Sequence, residues 1–200
     1  MLENVSWETY ERLLDEVHRQ HVYLTYDRGR LQIMPPSLPL HERTGRFLER
    51  IVHTFTEMRN IPICSLGSTT WKRRDVDAGL EADNCYYLRE HEAIVRHLDR
   101  IDLSQVPPPD LAIEVDVSSQ SLDKIAVYQR LSIPEIWRCE ENRLVVQTLG
   151  AKGYESASAS RALPDLPLKQ VQSLLDARLT IGELECIRAL RKWVEDSFPS

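Results

Sequence analysis

Residues 107–124 read PPPDLAIEVDVSSQSLDK, and the rest of the chain is organised around them. Three prolines end whatever precedes, because each fixes φ and removes a backbone donor. From Asp110 to Val117 two chemistries then alternate, which predicts a strand. Leu111, Ile113, Val115 and Val117 make one face; Asp110, Ala112, Glu114 and Asp116 make the other. The polar face carries three carboxylates and no cation. Successive same-face residues stand about 6.5–7 Å apart, so Glu114 and Asp116 require a shared cation, a nearby Lys or Arg, or open solvent. SSQS ends the strand, and a helix begins at Leu122 with Lys124 in its first turn.

Working outward, 200 residues at 42% hydrophobic content suffice for one well-buried domain, and no low-complexity linker divides residues 1–200. A helical tail is predicted over about 168–197. The first residues, MLENVSWETYERLLDEV, are too acidic for a signal peptide. No stretch approaches the ~18 apolar residues of a membrane span. The expectation is a cytoplasmic protein without membrane attachment. Cys64, Cys85, Cys139 and Cys186 are far apart and form no C-x-x-C pair, which predicts buried thiols. A net charge of -6 argues against broad affinity for polyphosphate, so any nucleic-acid contact needs a local basic patch. Lys72, Arg73 and Arg74 form the densest basic run, with Arg89, Arg96 and Arg100 further on. A solvated surface is the alternative for both groups.

Elsewhere, Ser6 is a candidate N-cap for a helix to about His18. Val22–Tyr26 and Arg30–Met34 flank Asp27-Arg28-Gly29 as a hairpin, ended by Pro35, Pro36 and Pro39. Phe47, Leu48, Ile51, Val52, Phe55 and Met58 recur at helical spacing and predict a helix over 41–59. ICSLGSTTW suggests one or two strands, KRRDVDAGLE a charged connection, and Ala82–Leu88 a strand with Asp83, Cys85 and Tyr87 on one face. A short helix or turn over 90–100 precedes the central strand. The helix Leu122–Leu131 follows it, then strands at Glu135–Cys139, Arg143–Leu149 and near Tyr154. In the tail, Leu179, Leu184, Ile187, Leu190 and Val194 read as an apolar face, with Thr180 as cap. This order predicts a mixed α/β or α+β sheet flanked by helices. No nucleotide-binding, serine-hydrolase or zinc-protease motif occurs.

If their strands are neighbours, Asp83 and Glu114 could converge on a divalent cation, since hard oxygen donors suit Mg²⁺ or Mn²⁺. Ordinary surface acidity is the alternative. The series GLEADNCYYL followed by PPPDLAIEVDVSSQSLDKIAVYQRLSIPEIWR resembles the Uma2 family of endonucleases, formerly a domain of unknown function, in the PD-(D/E)XK restriction-endonuclease-like superfamily. The likeness runs from about Trp7 to Tyr154. It implies a restriction-endonuclease-like fold and Mg²⁺- or Mn²⁺-dependent hydrolysis of DNA. It places the two metal carboxylates on Asp83 and Glu114 and the backbone carbonyl ligand on Val115. The superfamily's lysine position is held by Asp116, a charge reversal, so Lys124 on the next helix is the substitute. Ala82 stands where a proline usually precedes the first carboxylate. Glu49 matches the acidic residue that the early helix often contributes. Because superfamily members often cut two strands by pairing, a homodimer is an expected assembly. The competing class is a degenerate nuclease-fold module for nucleic-acid binding or protein pairing. The six histidines lack ligand spacing, so His41 reads as structural.

Overall fold

The computed structural model describes residues 1–17, 22–34, 39–116 and 122–199, with Asp116 described by its backbone alone. Pro35, Pro36, Val117 and the SSQS turn fall outside the described residues, as does His18 at the expected end of the first helix. Helices α1 (Trp7–Val17), α2 (Pro39–Met58), α3 (Glu90–Val95), α4 (Lys124–Arg130), α5 (Leu168–Ile181) and α6 (Glu183–Ser197) accompany ten strands. These are β1 (Tyr23–Asp27), β2 (Arg30–Met34), β3 (Ile63–Ser65), β4 (Thr69–Arg73), β5 (Ala78–Ala82), β6 (Asn84–Leu88), β7 (Leu111–Asp116), β8 (Glu135–Glu140), β9 (Arg143–Gly150) and β10 (Gly153–Ser156).

They form two sheets, ordered β2-β1-β5-β4 and β10-β9-β8-β7-β6-β3. Strands β7 and β8 run parallel, and the other described pairings are antiparallel. Parallel neighbours need a crossover, and α4 supplies it. One face of the larger sheet holds Leu111, Ile113, Val115 and Trp137 against Phe47, Ile51 and Phe55 of α2, with Leu175 and Leu190 of α5 and α6 behind them. The opposite face holds Ala112, Ile136 and Tyr87 against Val127 and Tyr128 of α4 and against Trp71 and Leu80 of the smaller sheet. Both faces of β7 are therefore covered, and Glu114 is buried instead of facing solvent.

Two local readings are corrected by the fold. Residues 78–81, expected as part of a charged connection, join Ala82, expected to open the next strand, in β5, the inner strand between β1 and β4. The tail breaks at Gly182, whose φ of 82° is costly for other residues, and not at Thr180. As a result Leu179 and Leu184 are exposed, while Leu174, Leu175, Cys186, Ile187, Leu190 and Val194 enter the core. Cys85, Cys139 and Cys186 are buried free thiols, and Cys64 is half-buried. Among the described residues no helix is long and apolar enough to cross a membrane.

Helix α1 is seated on the smaller sheet through one close approach. Tyr10 is fully buried, its ring stacked on Tyr26 with centroids 4.8 Å apart. A Cβ added at Gly79 of β5 would stand 2.3 Å from the Tyr10 hydroxyl oxygen and 2.8 Å from its Cε1. Gly79→Ala should therefore destabilise by about 1–3 kcal/mol, through overpacking. Adding Tyr10→Phe should recover only part of this, because the ring carbon still crowds. Thermal melts of the two variants check it, and a wild-type midpoint for Gly79→Ala would refute the packing argument.

Candidate active site

Asp83 is the single residue between β5 and β6, where the chain leaves the smaller sheet and enters the larger. Since Asn84 pairs with Ile113 in the antiparallel β6–β7 ladder, one further step places Asp83 opposite Glu114. The ladder does not continue there by backbone bonds. Instead the Val115 N–H donates to Asp83 Oδ2 at 2.8 Å. A strand residue's N–H and C=O leave by the same edge, so the Val115 carbonyl faces the edge that Asp83 occupies.

Helix α2 covers this corner. A Cβ at Gly45 would lie 3.7 Å from Asn84 Nδ2 and 3.8 Å from Val115 Cγ2, so the helix passes directly over the two strands. One turn earlier, His41 places Nε2 3.1 Å from Asp83 Oδ2. Burial opposes a charged imidazole here, but the hydrogen bond and charge of Asp83, with Glu42 and Glu114 adding to them, raise its pKa. His41 is thus a site neighbour that the histidine spacing did not disclose. The available clue was its position one helical turn ahead of the helix's only glycine.

Glu114 is held from the other side by α4. Lys124 Nζ donates to Oε2 at 2.8 Å, and the Tyr128 hydroxyl donates to Oε1. Lys124 and Tyr128 lie four residues apart and so share a helix face. The Lys124 side chain is only 11% exposed, so the ion pair is largely dry. Burial pushes Glu114 up to about 7; the charge of Asp83 acts in the same sense, and Lys124 and Tyr128 pull against it. Burial, followed by the charge of Glu114, raises Tyr128 in turn.

Other expected residues lie elsewhere. Glu49 is eight residues beyond His41 on α2, about 12 Å along its axis, and pairs with Arg46 at 3.0 Å. Asp110 precedes the opposite end of β7, accepting the Leu88 N–H at 2.7 Å and facing His91 Nδ1 at 2.8 Å. Asp116 is the last residue of β7, and its side chain is outside what is described. Each cation of the expected basic patch has an acid beside it: Lys72 pairs with Glu11, Arg73 with Asp75 and Arg74 with Glu8. Two of those acids lie on α1, over sixty residues earlier, so the run itself gives no hint that its charge is compensated.

A second buried carboxylate, Glu135, serves the framework. It accepts the Trp137 indole N–H at 2.6 Å, the Ser160 hydroxyl at 2.5 Å, the Ala162 N–H at 3.2 Å and the Arg161 N–H. These bonds pin residues 160–162 to the start of β8.

Among the described residues no three His, Cys, Asp or Glu side chains cluster in a metal-holding geometry. The donor chemistry at Asp83, Glu114 and the Val115 carbonyl nevertheless suits Mg²⁺ or Mn²⁺, which commonly take one or two carboxylates and complete their shell with water.

The family model Uma2, described as "Putative restriction endonuclease", matches residues 7–181. No curated protein matches. Among solved structures, the chain is similar to one described as a putative nuclease belonging to DUF820 from Anabaena variabilis. The two are 13% identical with a TM-score of 0.51, over 86% of this chain and 90% of the other, a likeness of fold.

Proposed function

The chain belongs to the Uma2 family, whose description is "Putative restriction endonuclease", and from that premise we propose that it is a metal-dependent endonuclease hydrolysing DNA phosphodiester bonds. The observation that carries this reading is the buried Lys124–Glu114 pair, 2.8 Å long, beside Asp83. Asp83, Glu114 and the Val115 carbonyl would hold Mg²⁺ or Mn²⁺. Such an ion supplies an activated water and charge stabilisation at a phosphoryl centre. Tyr128 and Lys124 fix the two oxygens of Glu114, while His41 and the Val115 N–H fix Asp83 through Oδ2. Lys124 places a positive charge where the phosphoryl group becomes more negative in the transition state. In this reading Lys124 performs from α4 what the superfamily performs from the position held here by Asp116.

One observation favours the degenerate-module reading. Both oxygens of Glu114 are already engaged, so coordination must compete with Lys124 and Tyr128. Calorimetric Mn²⁺ titration, run beside a plasmid-nicking assay, separates the two. We expect saturable Mn²⁺ binding and Mn²⁺-dependent nicking in the wild type, both lost in Glu114→Gln. Glutamine keeps the shape and leaves an oxygen that can still accept from Lys124. Wild-type protein that neither binds Mn²⁺ nor nicks DNA would leave the module reading in its place.

A further inference from the structure

With the Lys72–Arg74 run compensated, a different cluster has cations in excess. Asp27 ends β1 with its side chain 1% exposed, and three guanidiniums converge on it. Arg28 Nε approaches Oδ1 at 3.2 Å, Arg30 donates to Oδ2, and Arg130, the last residue of α4, donates to Oδ1. Arg28 takes a φ of 47°, a left-handed turn conformation, and its guanidinium and that of Arg30 meet different oxygens of Asp27. Among the described residues two further carboxylates act on neighbouring Tyr26: Asp77, which lies against it, and the more distant Glu8, which is paired with Arg74. With Asp77 counted, and Glu8 set against its own partner Arg74, the three arginines outnumber the acids among the described residues.

Satisfying one buried carboxylate needs a single bidentate arginine. Three like charges brought together on one acid repel, and an anion relieves that repulsion. Each guanidinium has five N–H donors and spends only part of them on Asp27. Arg28 and Arg30 remain 65% and 47% exposed, and Arg130 Nε is buried with no hydrogen-bond partner among the described residues. Helix α4 ties this corner to the candidate active site, with Lys124 at its first residue and Arg130 at its last. Six residues span about 9 Å, the axial rise of roughly three nucleotides of one DNA strand.

We propose that Arg28, Arg30 and Arg130, held in place by Asp27, form a clamp for the nucleic-acid phosphate backbone that positions the strand across α4 toward Glu114; this rests on the nuclease reading. The planar guanidinium fork matches phosphate oxygens, and the shared carboxylate orients the forks before binding.

The test is fluorescence anisotropy of a labelled DNA duplex, titrated with wild-type protein and with Arg28→Ala/Arg30→Ala over a range of salt, in EDTA and in Ca²⁺. Arg130→Gln is measured alongside, and because the first two side chains are exposed, the double variant carries the test if Arg130→Gln does not fold. The double variant should bind about tenfold or more weakly and lose about two from the log–log salt slope. Unchanged affinity and slope would overturn the clamp and leave nicking to be judged by the Mn²⁺ assay. Absence of duplex binding by the wild type in both buffers would also overturn it. So would displacement of the duplex by inorganic phosphate at matched ionic strength, which would mark a small-anion pocket. Loss of DNA binding with Mn²⁺ binding intact supports the clamp, whether or not the wild type cuts.

Discussion

Lys124→Ala should slow phosphodiester cleavage at neutral pH by about 10²–10³-fold, the usual cost of removing one preorganised group from a developing negative charge. The structure adds a pH signature to that loss. Glu114 titrates near 7 because burial is opposed chiefly by Lys124. Without the ammonium its pKa must rise further, so at pH 7 the carboxylate becomes mostly protonated. Raising the pH should then recover the fraction lost to protonation but not the transition-state contribution. Stability follows the same proton. A folded-state pKa raised above the ordinary 4.5 gives a contribution fully present below 4.5 and lost as the pH climbs through about 7. In Lys124→Ala that decline should extend to higher pH. Rate–pH profiles and melts across the same range check both effects. A variant cutting at the wild-type rate at every pH would reduce Lys124 to a structural partner of Glu114.

Glu135→Ala should be the most destabilising single substitution considered, at about 3–5 kcal/mol, because it strands several buried donors without their acceptor. The indole of Trp137, the Ser160 hydroxyl and two backbone N–H groups would lose their common acceptor. The damage should spread, because Ser160 Oγ also accepts the Leu163 N–H at 2.9 Å and Arg89 donates to the Ala162 carbonyl at 2.7 Å. At roughly 2–4 °C per kcal/mol for a chain of this size, the melting midpoint should drop by about 10 °C. Glu135→Gln should cost less, since one carbonyl oxygen remains to accept. Mn²⁺ binding in any folded fraction should persist. A drop of only a degree or two would mean that the 160–162 segment finds other partners.

Much of this architecture is legible in residue spacing. The stripe from Phe47 to Met58, the turn at Arg28-Gly29 and the alternation through β7 each announce their element, because periodicity reports which face meets the core. Periodicity does not report what covers a face. The alternation therefore groups Asp110 with Glu114, although one pairs with a histidine outside the strand and the other is buried under α4. Strand β5 is hidden because Gly79 and Glu81 have low strand propensity, and its pairing with β1 and β4 overrides them. Lys124 was reachable through family likeness and proximity in sequence. His41 and the partners of Lys72 and Arg74 depend on how α2 and α1 dock, which no local pattern encodes.

Because Asp83 is the one residue between β5 and β6, its backbone is gripped on either side by hydrogen-bond ladders of different sheets. Any shift of one sheet against the other would therefore move the Asp83 carboxylate relative to the backbone of Glu114, which belongs to β7 of the six-stranded sheet. The β1–β2 end of the four-stranded sheet rests on α1 through a small apolar cluster, while β4 and β5 share theirs with the larger sheet, so the β1–β2 end should open at the lower free energy. Function would then fade on warming well before the larger sheet melts, and substitutions far from any acid could detune the site by changing how the two sheets lie against one another.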